Sequence, residues 1–248
     1  MKILLAGESW ISSSTHIKGF DGFGTAVYQS GAEPLIRALE PVAEVVYLPN
    51  HLAAREFPLS LEALRVYSVV ILSDIGANTL LLHPDTWERG ERRPNRLRLL
   101  QEYVAAGGGL VMVGGYLSFQ GFEGKAGYCG TPVEAVLPVS LQPYDDRWEA
   151  PEGLTVTIHE PTHPIVAGLP AEWPYLLGVN RVQAKPGAKV LASVEVGPLL
   201  VVGAYGSGRS VAWMSDIGPH WSPPVFCNWS AYTTLWQRIC RWAEGRDA

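Results

Sequence analysis

Five side chains in this sequence of 248 residues are of types that do acid–base chemistry: Glu8, Asp74, Tyr116, Asp216 and His220. Glu8, Asp74, Tyr116 and Asp216 each fall just past a short apolar run, and His220 lies one helical turn beyond Asp216. In open α/β sheets, ligands bind in the crevice outside the carboxyl ends of the strands. Ser73-Asp74-Ile75-Gly76 and Ser215-Asp216-Ile217-Gly218 repeat one tetrapeptide at two such ends. Convergent carboxylates with one histidine hold a metal or move protons on a polar substrate. Alternatively, aspartates at these positions cap loops and helix N-termini by accepting backbone N–H bonds. Trp10, Phe119 and Trp221 offer an aromatic wall for a sugar ring, although tryptophans also fill cores and oligomer interfaces, the reading preferred for Trp229, Trp236 and Trp242.

Other motifs carry less. His159-Glu160-Pro161-Thr162-His163 spells H-E-x-x-H, but zinc needs both histidines on one helical face, and Pro161 and Pro164 interrupt that helix. No metal site is expected. Cys129, between Gly127 and Gly130, reads as a small, partly buried thiol, with a displaced nucleophile paired to His220 as the alternative. Asp145-Asp146-Arg147 reads as an exposed, ion-paired turn. Gly206-Ser207-Gly208 reads as a hairpin between strands rather than a phosphate cradle.

The elements that must position these residues alternate along the first half. Lys2 to Ala6, Glu44 to Leu48 and Ser68 to Leu72 are strand-like apolar runs, separated by helix-period segments at Ala32 to Leu39 and Leu59 to Val66. A third helix, Asn95 to Ala105, ends at Gly107-Gly108-Gly109 and feeds the strand Leu110 to Val113, after which Gly114-Gly115 turns sharply into Tyr116. The order β-α-β-α-β is that of a doubly wound sheet. The glycine-bearing segment through His16, Gly19, Gly22 and Gly24 reads as a long loop, either a lid or a surface excursion, and Asn78 to Arg92 as an irregular excursion. Thr131 caps a short helix with Pro132 at its first position. Thr155 to Ile158, Ala188 to Val194, Leu199 to Ala204 and Ser210 to Met214 read as strands, and Trp229 to Ala243 as a last helix. The expected fold is a single three-layer α/β/α domain over residues 1–248, flavodoxin-like, with a mostly parallel sheet and added antiparallel strands.

Composition narrows the function classes. A formal charge of −5 gives no electrostatic reason to expect nucleic acid or an anionic membrane. No run of about twenty apolar residues occurs, so no bilayer span is expected. Met1 to Gly7 is a short apolar run followed at once by Glu8 and Ser9, too short for a signal peptide core, so a cytoplasmic protein is expected. Cys129, Cys227 and Cys240 have no zinc-like spacing and read as reduced thiols. A homo-oligomer is expected.

Four stretches carry a resemblance: residues 73–82, 114–121, 205–209 and Asp216-Ile217-Gly218-Pro219-His220-Trp221. In these the chain resembles the class I glutamine amidotransferase-like superfamily, in particular its "putative glutamine amidotransferase" branch, related to trehalose-utilisation-type proteins. The resemblance implies a cysteine nucleophile at the turn after the fourth strand and a His-x-Glu pair late in the chain. Here Tyr116 occupies the turn, with Leu117 or Ser118 one or two residues on; His220 stands at the histidine and Ser222 where the carboxylate belongs. A phenol with an ordinary pKa near 10 is a poor substitute for a thiolate, so glutamine hydrolysis by the family route is not expected. The expectation is a polar pocket for a small molecule, without cofactor, in which Glu8, Trp10, Asp74, Ser118, Phe119, Asp216 and Trp221 bind the ligand. The alternative is a hydrolase- or isomerase-type enzyme acting on a small polar or carbohydrate-like substrate through Tyr116 and His220.

Overall fold

The computed structural model describes residues 1–245. In chain order its strands are β1 (Lys2–Gly7), β2 (Ser9–Lys18), β3 (Asp21–Ser30), β4 (Glu44–Leu48), β5 (Val69–Ser73), β6 (Gly109–Val113), β7 (Val139–Ser140), β8 (Arg147–Leu154), β9 (Thr157–Ile158), β10 (Leu176–Asn180), β11 (Gln183–Ala184), β12 (Lys189–Val194), β13 (Gly197–Tyr205) and β14 (Gly208–Trp213). The α-helices are α1 (Glu33–Leu39), α2 (Asn50–Glu56), α3 (Leu61–Leu64), α4 (Ala77–Leu81), α5 (Pro84–Arg89), α6 (Arg96–Ala105), α7 (Pro132–Val136), α8 (Pro224–Cys227) and α9 (Tyr232–Ala243).

Eight strands form one sheet in the order β4-β1-β5-β6-β14-β13-β12-β9. From β4 to β14 neighbours pair in parallel; β13, β12 and β9 add antiparallel strands. Numbered by their order in the chain, the parallel strands run 2-1-3-4-5, the flavodoxin-like order, and the ligand crevice of that order opens between the first and third strands. Here those are β1 and β5, whose carboxyl ends carry Glu8 and Asp74. The continuous apolar runs exist because these strands are covered on both faces by helices: Ile3, Leu5, Val69, Ile71, Leu110 and Val113 are all fully buried. The ends of β1 and β5 approach so closely that a Cβ on Gly7 would fall 1.9 Å from the Ser73 carbonyl oxygen, and the φ of +111° there also requires glycine.

Several readings shift. The long segment after β1 is not a loop but a hairpin, β2 and β3, ten residues per strand, joined at Gly19-Phe20 with Gly19 at φ +64°. Its strands interleave serine, threonine and glycine with scattered apolar residues and are exposed on both faces, so no apolar alternation announces them. Residues 78–92 contain α4 and α5, the latter begun by Pro84 with the His83 ring accepting from the Asp85 N–H. Of Thr155 to Ile158 only Thr157–Ile158 is a strand; β7, β8, β10 and β11 were not foreseen. Trp236 is fully buried, and Trp229 and Trp242 pack partly buried against the core.

Arg96, at the start of α6, is wholly buried without a carboxylate partner. Its guanidinium donates to the carbonyls of Leu80, Ala53, Ala54 and Thr79, tying α2 and α4 to α6 beside the loop that carries Asp74. Burial lowers its pKa to about 10, leaving it charged at neutral pH. Arg96→Met removes these donors and leaves buried carbonyls unpaired; chemical denaturation should show a loss of about 2–4 kcal/mol.

Candidate active site

At the carboxyl edge of the parallel strands lies an open cleft of about 460 Å³, within the size range of small-molecule sites. Its polar lining is Glu8, Asp74, Asp216 and His220; Trp10, Tyr116, Leu117, Phe122 and Pro219 supply the walls. No lysine or arginine lines it.

Glu8 and Asp74 are the residues that leave β1 and β5, and both have left-handed backbones, φ +50° and +45°. A non-glycine residue held there costs of order 1–3 kcal/mol and persists only where its surroundings enforce it. For Glu8 the enforcement is a cage. Its N–H donates to Ser73 (2.7 Å), its carbonyl accepts from Gly31 N–H and the Tyr47 hydroxyl, and Oε2 accepts from Ser73 Oγ (2.5 Å). For Asp74, the N–H donates to Ser118 Oγ (3.0 Å), the carbonyl accepts from Asn50 Nδ2 (2.9 Å), and Oδ1 accepts from the Leu117 N–H (2.6 Å).

Asp216 follows β14. Its Oδ2 lies 3.4 Å from His220 Nδ1 and accepts from the Trp221 N–H, while its carbonyl is held by Trp213 Nε1 and Ser222 Oγ (2.6 Å). Ser222 therefore does not serve the imidazole. The carboxylate on Nδ1 comes from Asp216, four residues upstream of the histidine instead of two downstream.

Three carboxyls under one roof repel one another and lose hydration. Burial, then the charges of Asp216 and Asp74, raises Glu8 well above the ordinary range. Burial first and Asp216 second raise Asp74 to about 6, against the pull of the Leu117 N–H. Burial raises Asp216, and the bond to His220 opposes it. His220 is raised above its ordinary value, chiefly by the bond to Asp216.

The turn after β6 is built by a network from the second half of the chain. Asn180, ending β10 and fully buried, accepts from the Gly115 N–H and donates to the Gly115 carbonyl and to Asp146 Oδ1. Asp146 in turn accepts from the Gln120 and Gly121 N–H groups. Asp146 is wholly buried, which corrects the reading of an exposed turn for that residue, while half-buried Asp145 and Arg147 form the expected ion pair (3.3 Å). Gly115 must lack a side chain: a Cβ there would stand 2.9 Å from Asp74 Oδ1 and 3.1 Å from Asp216 Oδ1, so both carboxylates crowd the same point.

Tyr116 and His220 meet edge to face, ring centroids 4.7 Å apart, but the phenol donates to Glu149 Oε1 (2.7 Å) and not to the imidazole. Burial raises its pKa above the ordinary tyrosine value. Glu149, on β8, also accepts from Trp221 Nε1 (3.0 Å). Of the ligand-binding set, Glu8, Trp10, Asp74 and Asp216 line the cleft. Ser118 is buried behind it, holding the Asp74 backbone. Phe119, at φ +53°, is fully buried in the core, and Trp221 is fully buried behind Tyr116. The sequence reading missed Phe122, which stacks on Tyr116 (5.5 Å) in the wall, and Asn180, Asp146 and Glu149 behind it. A polar residue ending the apolar Leu176 to Val179 run was the available signal for Asn180.

None of the three cysteines lines the cleft. Cys129 Sγ points to the Leu141 carbonyl (3.9 Å), and Cys227 Sγ lies 3.3 Å from the Ser222 carbonyl, pushed up to about 11 by burial. His159 Nε2 meets Ser193 Oγ (2.7 Å), and residues 159–163 are not helical.

Asp74 binds its proton more tightly in the folded than in the unfolded chain, so it costs stability as pH rises from its unfolded value, 3.8, through about 6. Asp74→Asn keeps the acceptor for Leu117 and suits the left-handed backbone better. Thermal and denaturant unfolding should show the variant more stable than wild type by about 1–3 kcal/mol at pH 7, with the gap closing toward pH 4.

The comparisons agree with this architecture. A family model described as "putative glutamine amidotransferase" matches residues 2–244. The cytoplasmic protein STM3548 of Salmonella typhimurium is 40% identical, with 98% of this chain and 99% of that chain aligned at a TM-score of 0.95. The cytoplasmic protein STM1381 of Salmonella typhimurium LT2 is 42% identical over 98% and 99%, at 0.94. A ThuA-like protein of Parabacteroides merdae shares the fold at 15% identity and a TM-score of 0.62, over 100% of this chain and 91% of that one. Among curated proteins there is no match. With nearly its whole length inside the family model and two relatives aligned end to end, the chain belongs to the glutamine amidotransferase-like family that bears that description.

Proposed function

We propose that this protein is an acid–base enzyme acting on a small, uncharged, hydroxyl-rich substrate of carbohydrate type, and that it does not hydrolyse glutamine. The observation that carries this reading is the pair of strained carboxyl residues, buried Glu8 and half-buried Asp74, facing the Asp216–His220 pair across one cleft. Strain of this kind concentrates at functional sites, and titratable groups whose environments move their pKa values toward neutrality are what proton transfer requires. Asp74, about 6, is ionised at neutral pH and accepts a proton from the substrate. His220, whose proton affinity the bond to Asp216 raises, delivers one to a substrate oxygen. Glu8, whose proton affinity burial and the neighbouring carboxylates raise well above the ordinary range, is placed to hydrogen-bond a substrate hydroxyl.

Substrate class follows from the lining. A phosphate or carboxylate would meet three acidic side chains with no lysine or arginine to balance it. Trp10 and Tyr116 in the lining suit the C–H faces of a sugar ring, and the carboxyls suit its hydroxyls, while Phe122 is covered by Tyr116 and by the Arg147 guanidinium, 4.0 Å from its ring. Glutamine hydrolysis needs a thiolate beside the histidine, and a phenol bonded to Glu149 with a raised pKa does not replace it. Tyr116 is therefore a wall and not a proton carrier. Two relatives named as cytoplasmic proteins support the same compartment here, and among the described residues no helix is long and apolar enough to cross a membrane.

A panel of aldoses, ketoses and polyols, followed by NMR for conversion and for deuterium uptake from heavy water, tests the proposal, with glutamine as the comparison. One or more sugars should turn over with a bell-shaped pH profile whose acid limb falls near 6. Asp74→Asn and His220→Gln should each cost about 10²–10⁴ in kcat, and Tyr116→Phe less than about tenfold. Ammonia release from glutamine, or turnover indifferent to Asp74 and His220, would overturn it.

A further inference from the structure

The hairpin of β2 and β3 leaves the body beside the cleft, and every residue from Trp10 to Ser30 is exposed. A lone two-stranded ribbon of this length is at best marginally stable in water. Monomers protect such edges with charges, prolines or bulges. This arm has none of these along its length: its register runs unbroken from Ser9↔Ser30 to Lys18↔Asp21, it contains no proline, and its one acid and one base oppose each other at the tip. One face of the ribbon carries Ile11, Tyr28, Ala26, Ile17, Gly22 and Gly24, with Ser13 and Thr15 between them.

We propose that this face packs against the same face of a second copy of this chain, the two arms antiparallel about a two-fold axis across the strands. The sizes match under that operation. Tyr28 comes opposite the partner's Gly22, Ala26 opposite the partner's Gly24, Ile11 opposite the partner's Ile17, and Ser13 opposite the partner's Thr15. A two-fold contact needs a surface complementary to itself, and this one places bulk against glycine at both ends. Each tip, with Phe20 fully exposed and Ile17 77% exposed, then reaches the groove at the base of the other arm, between Ile11, Tyr28, Asn50 and His51. The eight residues of this face, with the tip and the groove at the base of the arm, form each copy's side of the contact. A partner of another kind would be selected by charge or by a shaped pocket, and the face has neither. The arm also carries Trp10 from the groove to the cleft wall, so the second copy braces the site.

Light scattering coupled to size exclusion at micromolar concentration tests this. Wild type should run at twice 27.0 kDa or an even multiple. Ile17→Asp/Phe20→Asp should halve the mass with its melting temperature within a few degrees, because neither side chain touches its own core. Ser14→Asp, on the opposite face, should leave the mass unchanged. Gly22→Leu/Gly24→Leu is the second variant: added Cβ atoms there meet nothing closer than 3.6 Å within the chain, yet they fill the space for the partner's Tyr28, so the mass should fall despite the added apolar surface. A monomeric wild type overturns the proposal, as does an unchanged mass in either double variant or dissociation by Ser14→Asp.

Discussion

The constraint on which this structure turns is the crowding of three carboxyl groups, two buried and one half-buried, at strand ends of one sheet edge with one imidazole and no lysine or arginine in the lining. Such a cluster destabilises the folded chain, so the surrounding chain has to hold it in place. The chain does so with backbone and hydroxyl donors: Ser73 on Glu8, Ser118 and Leu117 on Asp74, Trp221 on Asp216. These donors fix geometry without neutralising charge, and the result is a set of acids whose proton affinities are raised. A lysine at the same place would pair with a carboxylate and lower its proton affinity.

The division of labour between the halves of the chain follows from this. The parallel strands bring Glu8, Asp74 and Asp216 to one edge because the 2-1-3-4-5 order opens a crevice between β1 and β5 and returns β14 beside β6. The second half, in short ladders, supplies the back wall: Asn180 and Asp146 clamp the glycine turn, and Glu149 pins Tyr116 and Trp221. The turn after β6 thus presents a fixed aromatic ring to the cleft, where the resemblance implied a cysteine. The strained residues of this protein sit one and two strands over from it.

Much of the sheet was legible because strands covered on both faces must be continuously apolar, as Lys2 to Ala6 and Leu110 to Val113 are. The convergence of Glu8, Asp74 and Asp216 was legible for the same reason, since a polar residue directly after such a run stands at the sheet edge. The left-handed backbones of Glu8 and Asp74 were not, because nothing in residue type distinguishes a strained carboxylate from a capping one. The buried clamp of Asp146 was misread because a charged triplet ending in an arginine looks solvated, and its partners, two backbone N–H groups and Asn180, are invisible in sequence. The hairpin escaped because serine and threonine strands lack the alternation that burial imposes, a consequence of its having no core of its own.

The central claim is that the fold raises the proton affinity of the cleft carboxyls. Carbon-13 NMR of the protein labelled at its aspartate carboxyls, with Asp74 assigned by substitution, measures it directly. The account predicts an Asp74 carboxyl that titrates near pH 6, well above the ordinary aspartate value of 3.8. Titration of Asp74 at that ordinary value would contradict it.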